Sequence, residues 1–430
     1  MPDPLDDARD AIAFIDASPS PYHAVAEAAR RLQAAGFTGV DVRARWSRSV
    51  AGPALVRRGG SLVAWIAPPT GVPSAFRIVG AHTDSPNLRV KPQPDTGSAG
   101  WRQLGVEVYG GALLNSWLDR DLGLSGRVGV LGTSGAETRL FRDDRALLRI
   151  PQLAIHLDRE VNHAGLKLNP QQHLTPTWGL GAVERGGFAR YLASQVGAHE
   201  SCVVSWDVMA HDTTGGSLAG IDEELISSAR VDDQLSCWAA VAALSALADQ
   251  GRDDDVVPVV ALFDHEEVGS ASPSGAAGTV LSSVLERLVT AAGGDAEDVA
   301  RALAASWLVS TDGAHATHPN YPERHDPAHT VALNEGPVLK HNANVRYATD
   351  ASGAAWFEGV CRSAEVPVQH FVSRNDMPCG STIGPIAATR LGVPTVDVGA
   401  PQLAMHSARE LCGSADARWL RLALDACLVG

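Results

Sequence analysis

Lysine is nearly missing from this 430-residue chain: only Lys91, Lys167 and Lys340 occur, and arginine supplies the rest of the 35 basic residues. Against 49 Asp and Glu the formal net charge is −14, which argues against a surface built to read nucleic acid phosphates or an anionic membrane. Cysteine is scarce too. The six (202, 237, 361, 379, 412 and 427) are scattered with no Cys-x-x-Cys pair, which excludes a disulfide framework and a cysteine-type zinc knuckle. Long apolar runs are lacking. Trp238 to Ala248 and Val256 to Phe263 are the most apolar stretches, far short of the about 18–20 residues that span a bilayer. The start, Met-Pro-Asp-Pro-Leu-Asp-Asp, is acidic and without an apolar core, unlike a signal peptide. The expectation is a soluble cytoplasmic protein. No Gly-x-Ser-x-Gly, Gly-x-Gly-x-x-Gly or P-loop pattern occurs, so a serine hydrolase elbow and a nucleotide phosphate cradle have no support.

What is present is ordinary for a globular chain: 45% hydrophobic and 20% charged residues. The length suggests two or three domains with cores that need no covalent staple. Helical spacing covers 5–16 and 20–36, with Ser20 as N-cap before Pro21. A buried strand reads at 75–81, an acidic helix at 222–226 and an Ala-rich helix from about 233 to 249. The continuous apolar run 256–263 suits a central parallel strand. Helices follow at about 279–290 and 296–305, strands at 306–311 and 366–372, a helix near 383–391, a strand at 394–399 and a final helix at 415–428. This alternation predicts an α/β sheet flanked by helices. Between 94 and 220 the pattern changes to short β-like segments rich in turn residues, read as a β-rich domain inserted into a discontinuous domain of 1–93 and 221–430.

Four strand candidates run into residues able to bind metal: His82-Thr83-Asp84, Asp264-His265-Glu266-Glu267, Asp312, and the stretch ending at His406. Ligands of parallel α/β sheets bind outside the carboxyl ends of the strands, so these residues belong on one rim. In His82-x-Asp84 the carboxylate can fix the tautomer of a ligating histidine. The same pattern also fits a turn Asp beside a surface His. Two adjacent carboxylates after an apolar strand, Glu266-Glu267, are costly to bury without a cation. One can ligate while its neighbour takes a proton from water; a solvated loop is the plainer alternative. Asp232-Asp233 opens the Ala-rich helix, where one Asp serves either as N-cap or as a carboxylate bridging two metals.

Several long, ordered stretches then carry a resemblance. They are GAHTDSPNLRVKP (80–92), LAIHLDREVN (153–162), SARVDDQLSCWAA (228–240), LFDHEEVGS (262–270), STDGAHATHPNY (310–321), NEGPVLKHNANVRYATD (334–350), SRNDMPCGSTIGPI (373–386) and GAPQLAMHSARE (399–410). They cover nearly the whole chain, which resembles the M18 metallopeptidases, the aspartyl aminopeptidases. The resemblance implies a zinc-peptidase-like mixed sheet flanked by helices with an inserted β-rich dimerisation domain. It implies two Zn2+ per subunit, with Co2+ or Mn2+ as substitutes. His82 and Asp312 look like terminal ligands of one metal, Glu267 and His406 of the other, and Asp232 like the bridge. Glu266 looks like the general base acting on a metal-bridging water, and Asp84 like the partner of His82. His156 resembles a histidine delivered from a neighbouring subunit to the substrate carbonyl. Lys340, Tyr347 and Asp376 fall in pocket-lining segments. Lys340 is then the candidate cation for an acidic substrate side chain. Expected partners are peptides with a free N-terminus and copies of the chain itself, dimers assembling into a tetrahedral dodecamer. The chain departs from the family in having Asp232-Asp233 where Asp-Asn is common, and Gly313 where Met is commoner. A dinuclear deacylase or carboxypeptidase and a non-enzymatic assembly protein on the same fold are the competing readings.

Overall fold

The apolar run Val256–Phe263 is a strand, buried at seven of its eight positions. Such a strand needs a neighbour on each edge and cover on each face. It pairs in parallel with Ala75–His82, placing Phe263 opposite His82, and antiparallel with Ser61–Ala67. Trp307–Thr311 lies parallel to Ala75–His82, and Thr395–Gly399 lies parallel to Trp307–Thr311. Thr38–Gly39 and Gly52–Arg58 extend one side of this nine-stranded sheet; Val338–His341 and Gln369–Val372 extend the other. Val338–His341 runs antiparallel to Thr395–Gly399, so the sheet is mixed. The four parallel strands at its heart all end on one edge.

The period-two alternation of the central strand divides the core. Val260 and Leu262 face the helices Asp6–Ala17, Pro21–Ala34, Val231–Leu247 and Ser414–Val429. Val257, Val259 and Ala261 face Val280–Ala291, Ala296–Ala304 and Ile383–Leu391. Helix Pro21–Ala34 starts as expected, with the Ser20 side chain accepting from the His23 N–H.

The computed structural model describes residues 5–47, 50–133, 135–248 and 255–430; the expected end of the Ala-rich helix at 249 lies outside them. Two compact units result. One comprises the chain up to Asp84, Gly216–Met405 and Glu410–Gly430; the other comprises Ser85–Gly215 and His406–Arg409. The second unit holds a six-stranded antiparallel sheet in the order Gly135–Leu148, Leu122–Gly132, Val203–Asp212, Asn87–Ser98, Trp101–Tyr109, Thr177–Leu180. Asn87–Ser98 pairs with Trp101–Tyr109 on both sides of an irregularity between Val90 and Asp95, so the break falls before Ser85 and not after residue 93.

Three further expectations are corrected. The acidic segment 222–226 is not a helix: Leu225–Ser228 is a strand held between Ser217–Ala219 and Glu410–Gly413. Pairing from distant chain overrode its local pattern. The β-rich unit also contains a helix, Gly187–Val196, which buries Phe188, Leu192 and Ala193 and closes on Gly197 in the left-handed region. Val338–His341 and the helix Ala351–Ser363 were not anticipated; a four-residue strand carries too little pattern.

Candidate metal centre

His82 is the last residue of its strand and is 1% exposed. Its Nδ1 donates to the Asp84 backbone carbonyl at 3.0 Å, with the Asp84 carboxylate at 3.5 Å. With a metal in place of the second proton, Nε2 is the nitrogen that would supply the lone pair. Nε2 faces Asp232 at 3.3 Å and Asp312 at 3.9 Å. Asp312 follows Trp307–Thr311, and its N–H donates to Val398 O at 3.0 Å. This close approach requires glycine at 399, where a Cβ would overlap the Asp312 carbonyl. Glu266 and Glu267 sit on a tight turn after Val256–Phe263, entered through His265 at φ +66°. Both of their backbone N–H groups donate to the Asp84 carboxylate, at 3.0 and 3.1 Å. Asp84 therefore ties the Glu-Glu turn to His82.

The Asp232-Asp233 pair divides its work. Both residues have non-helical backbone at a kink near the start of Val231–Leu247. The Asp233 carboxylate accepts the His82 backbone N–H at 3.0 Å, a task an Asn side-chain oxygen performs equally well. Asp232 faces the imidazole instead, and its own N–H donates to Glu410 at 2.9 Å. The departure at Gly313 also has a physical account: Gln402 and Met405 occupy the space a side chain would take, about 2.8–3.1 Å from its Cβ.

Ligand atoms of His82, Asp232 and Asp312 lie within 4.8 Å of one another, as do those of His82, Glu266 and Glu267. This donor set, imidazole nitrogen and carboxylate oxygen, suits zinc. The electrostatics fit a cation as well. Burial, reinforced by neighbouring carboxylates, pushes Asp233 and Asp312 above the usual carboxylate range. Glu266 rises to about 7, chiefly through burial, with Asp312, Asp232 and Asp84 adding and His82 opposing. Burial alone would lower His82, but Asp233, Asp232 and Asp84 outweigh it and hold its pKa well above the ordinary value.

The other predicted residues are distributed less uniformly. Lys340 is buried, donating to Gly313 O at 2.7 Å and facing Asp312 at 3.5 Å. Its ammonium lies 5.4 Å from the centre of the buried Tyr347 ring. Asp376 is exposed and paired with Arg374 at 2.8 Å, outside this cluster. His156 lies in the second unit on an exposed turn. His406 is grouped with that unit and its Nδ1 faces Gly111 O at 3.1 Å. Sequence reasoning missed Glu410 and Gln234. Gln234 donates to Thr83 O at 2.6 Å, steadying the loop after His82. Glu410 ends one of the matched segments, which was the available signal.

These features define a class: a mixed α/β protein with a candidate His–carboxylate metal site at the carboxyl edge of its parallel strands. The particular family follows from comparison. The sequence model described as aminopeptidase I zinc metalloprotease (M18) matches residues 14–426. A "Probable M18 family aminopeptidase 2" of Streptomyces coelicolor is 53% identical over 421 residues, 97% of this chain and 96% of that one. Among solved structures, a chain of the "Ape4 and Nbr1 complex" superposes with TM-score 0.94 at 36% identity, covering 98% of this chain and 85% of that one. The S. cerevisiae mApe1 dodecamer gives 0.86 at 28%, covering 98% and 96%. The chain belongs to the M18 family of zinc metalloaminopeptidases.

Proposed function

We propose that this chain is a dizinc aminopeptidase that removes the first residue of peptides, preferring Asp or Glu. One observation carries the reading: a buried histidine is shared by two overlapping triads, with Asp232 and Asp312 and with Glu266 and Glu267, while Asp84 holds the turn that carries the two glutamates. His82 and Asp312 would hold one zinc, Glu267 and His406 the other, and Asp232 both; Co2+ or Mn2+ would fit the same donors. When bound, the zinc pair supplies Lewis acidity and a water acidified to near-neutral pKa. Glu266 would act as general base, taking a proton from the attacking water and delivering it to the leaving amine. Its raised proton affinity suits both halves of the transfer. Asp84 holds the Glu266 turn and the His82 tautomer. The carboxylates around the cluster favour a substrate with a free, cationic N-terminus, which makes the enzyme exo-acting.

The remaining roles rest on the resemblance. The β-rich unit serves as dimerisation domain, with His156 reaching the substrate carbonyl of a neighbouring subunit. Tyr347 and Asp376 line the substrate pocket. A dodecamer is supported by the yeast relative described as one. A cytoplasmic setting is supported by six free cysteines. No helix among the described residues is long and apolar enough to cross a membrane. For Lys340, substrate recognition is the first reading. A second has its own observation: the ammonium already engages Asp312 and Gly313 O, so it supports a metal ligand instead.

The deciding experiment is a panel of X-Ala dipeptides, free and N-acetylated, assayed with and without chelator. Cleavage of Asp-Ala and Glu-Ala, blocked by acetylation and by chelator, is expected. Faster cleavage of the acetylated peptides would replace the aminopeptidase with a deacylase or related hydrolase.

A further inference from the structure

Val338–His341 and Gln369–Val372 pair in parallel at one side of the nine-stranded sheet. Their side chains bring two imidazoles together: His341 Nε2 and His370 Nδ1 are 3.0 Å apart, with ring planes inclined by 20°. On the far side of His370, Nε2 lies 3.5 Å from the Glu358 carboxylate, carried by helix Ala351–Ser363. His329, bonded to Asp326 at 2.8 Å, also acts electrostatically on His341. None of these residues belongs to the centre described above.

Two ring nitrogens bound side by side to one cation, each about 2.0–2.1 Å from it, stand roughly 3 Å apart. The pair already has that separation. A carboxylate on the outer nitrogen is the usual partner of a ligating histidine: it holds the proton on Nε2 and leaves Nδ1 as the donor. Glu358 occupies that position. His341 is held below its ordinary pKa by burial and by the neighbouring His370 and His329, and a cation bound between the rings takes the place of the proton shared across the 3.0 Å contact. His370 is partly exposed, at 42% of its side chain, which gives a cation access and leaves room for water to complete its coordination.

We propose that His341 and His370 form a separate site for an imidazole-preferring divalent cation (Zn2+, Ni2+ or Cu2+), with Glu358 orienting His370 from behind. Two protein ligands make this site weaker than the centre, so it fills after the centre does.

The test uses the full-length, zinc-loaded protein. Dialysed against micromolar free Zn2+, the wild type should carry one more zinc per chain than either His341→Gln or His370→Gln. Cu2+ added to the zinc-loaded protein should show electron paramagnetic resonance coupling to two imidazole nitrogens, lost in both variants. Glu358→Gln should keep the site but weaken it about tenfold. His370→Gln should retain peptidase activity, which confirms folding without reference to the site. Equal zinc counts in wild type and both variants, or a Cu2+ signal unchanged by them, would overturn the assignment and leave a hydrogen-bonded imidazole pair.

Discussion

The ion-paired carboxylates of the second unit and the carboxylates of the metal centre meet opposite fates. In the second unit a group of them is paired with cations: Asp143 with Arg145 at 2.6 Å, Asp144 with His211 at 3.0 Å and Arg142 at 2.8 Å, Asp207 with Arg127 at 2.8 Å, Asp212 with Arg120 at 2.9 Å. Their pKa values move down where they move, Asp143 to about 2. In the centre of the first unit carboxylates crowd around a shared histidine: His82 faces Asp84, Asp232, Asp233 and Asp312, and Lys340 faces Asp312. There the values move up. Charge paired one to one builds a fold, whereas carboxylates concentrated around one buried histidine fit a metal. Part of the −14 of the sequence is gathered in that centre, and two divalent ions would offset four of its charges.

The sharpest way to break that contrast is Glu266→Gln. It removes a proton acceptor while leaving the ligand set intact. A loss in kcat of about 10²–10⁴-fold is expected, with metal content per chain unchanged. A variant within tenfold of wild type would take the base role from Glu266. Chelation should act next, and on stability as well as turnover. Stripping the metals leaves the centre's carboxylates facing one another, and the melting temperature should fall by roughly 5 °C or more, recovering with added zinc. An unchanged melting curve would mean that protons alone neutralise the cluster.

Lys340 tests the boundary between the two populations, because it is the one lysine among the centre's acids. If it reads substrate, Lys340→Ala should lower kcat/KM for Asp-initiated peptides at least about tenfold more than for Leu-initiated ones. That factor corresponds to about 1.4 kcal/mol, within the range of one charge-assisted hydrogen bond. If its contact with Asp312 is its role, both substrates should lose equally and zinc affinity should fall. The 3.5 Å approach to Asp312 makes this measurement decisive for the acidic preference.

Much of the centre was legible because strand ends in a parallel sheet point one way. Continuous apolar runs announced Ala75–His82, Val256–Phe263 and Trp307–Thr311, and the polar residues after them meet as the fold rule requires. What was hidden depends on pairing across the chain. Nothing local in residues 222–226 reports that Glu410–Gly413 will claim their neighbours as a strand. The supporting bonds were equally hidden: Asp84 holding two backbone N–H groups from 266 and 267, Asp233 holding that of His82, Glu410 holding that of Asp232. Residue types suggested which atoms bind metal, but not which carboxylates spend their oxygens on backbone. Lys340 shows the same gap from the other side. Its rarity pointed to a special role, yet burial beside Asp312 could not be read from a four-residue strand.

The smallest predicted effect sharpens the second unit's half of the comparison. Asp143 accepts from Arg145 and from the Tyr191 hydroxyl at 2.6 Å, which holds it near 2 against an ordinary 3.8. A depressed folded-state pKa stabilises above the unfolded value and loses that stabilisation as pH falls through the folded one. The contribution is therefore complete above about pH 5, about halved near pH 3 and gone below 2. Arg145 is 67% exposed, so solvent screening reduces the full linkage value to about 1 kcal/mol. Asp143→Asn should lower the hydrogen-exchange protection of Gly135–Leu148 by that amount at pH 6, and by less as pH drops towards 3. A difference that grows on acidification would mean the carboxylate is strained in place, and the two units would then no longer differ in how they treat negative charge.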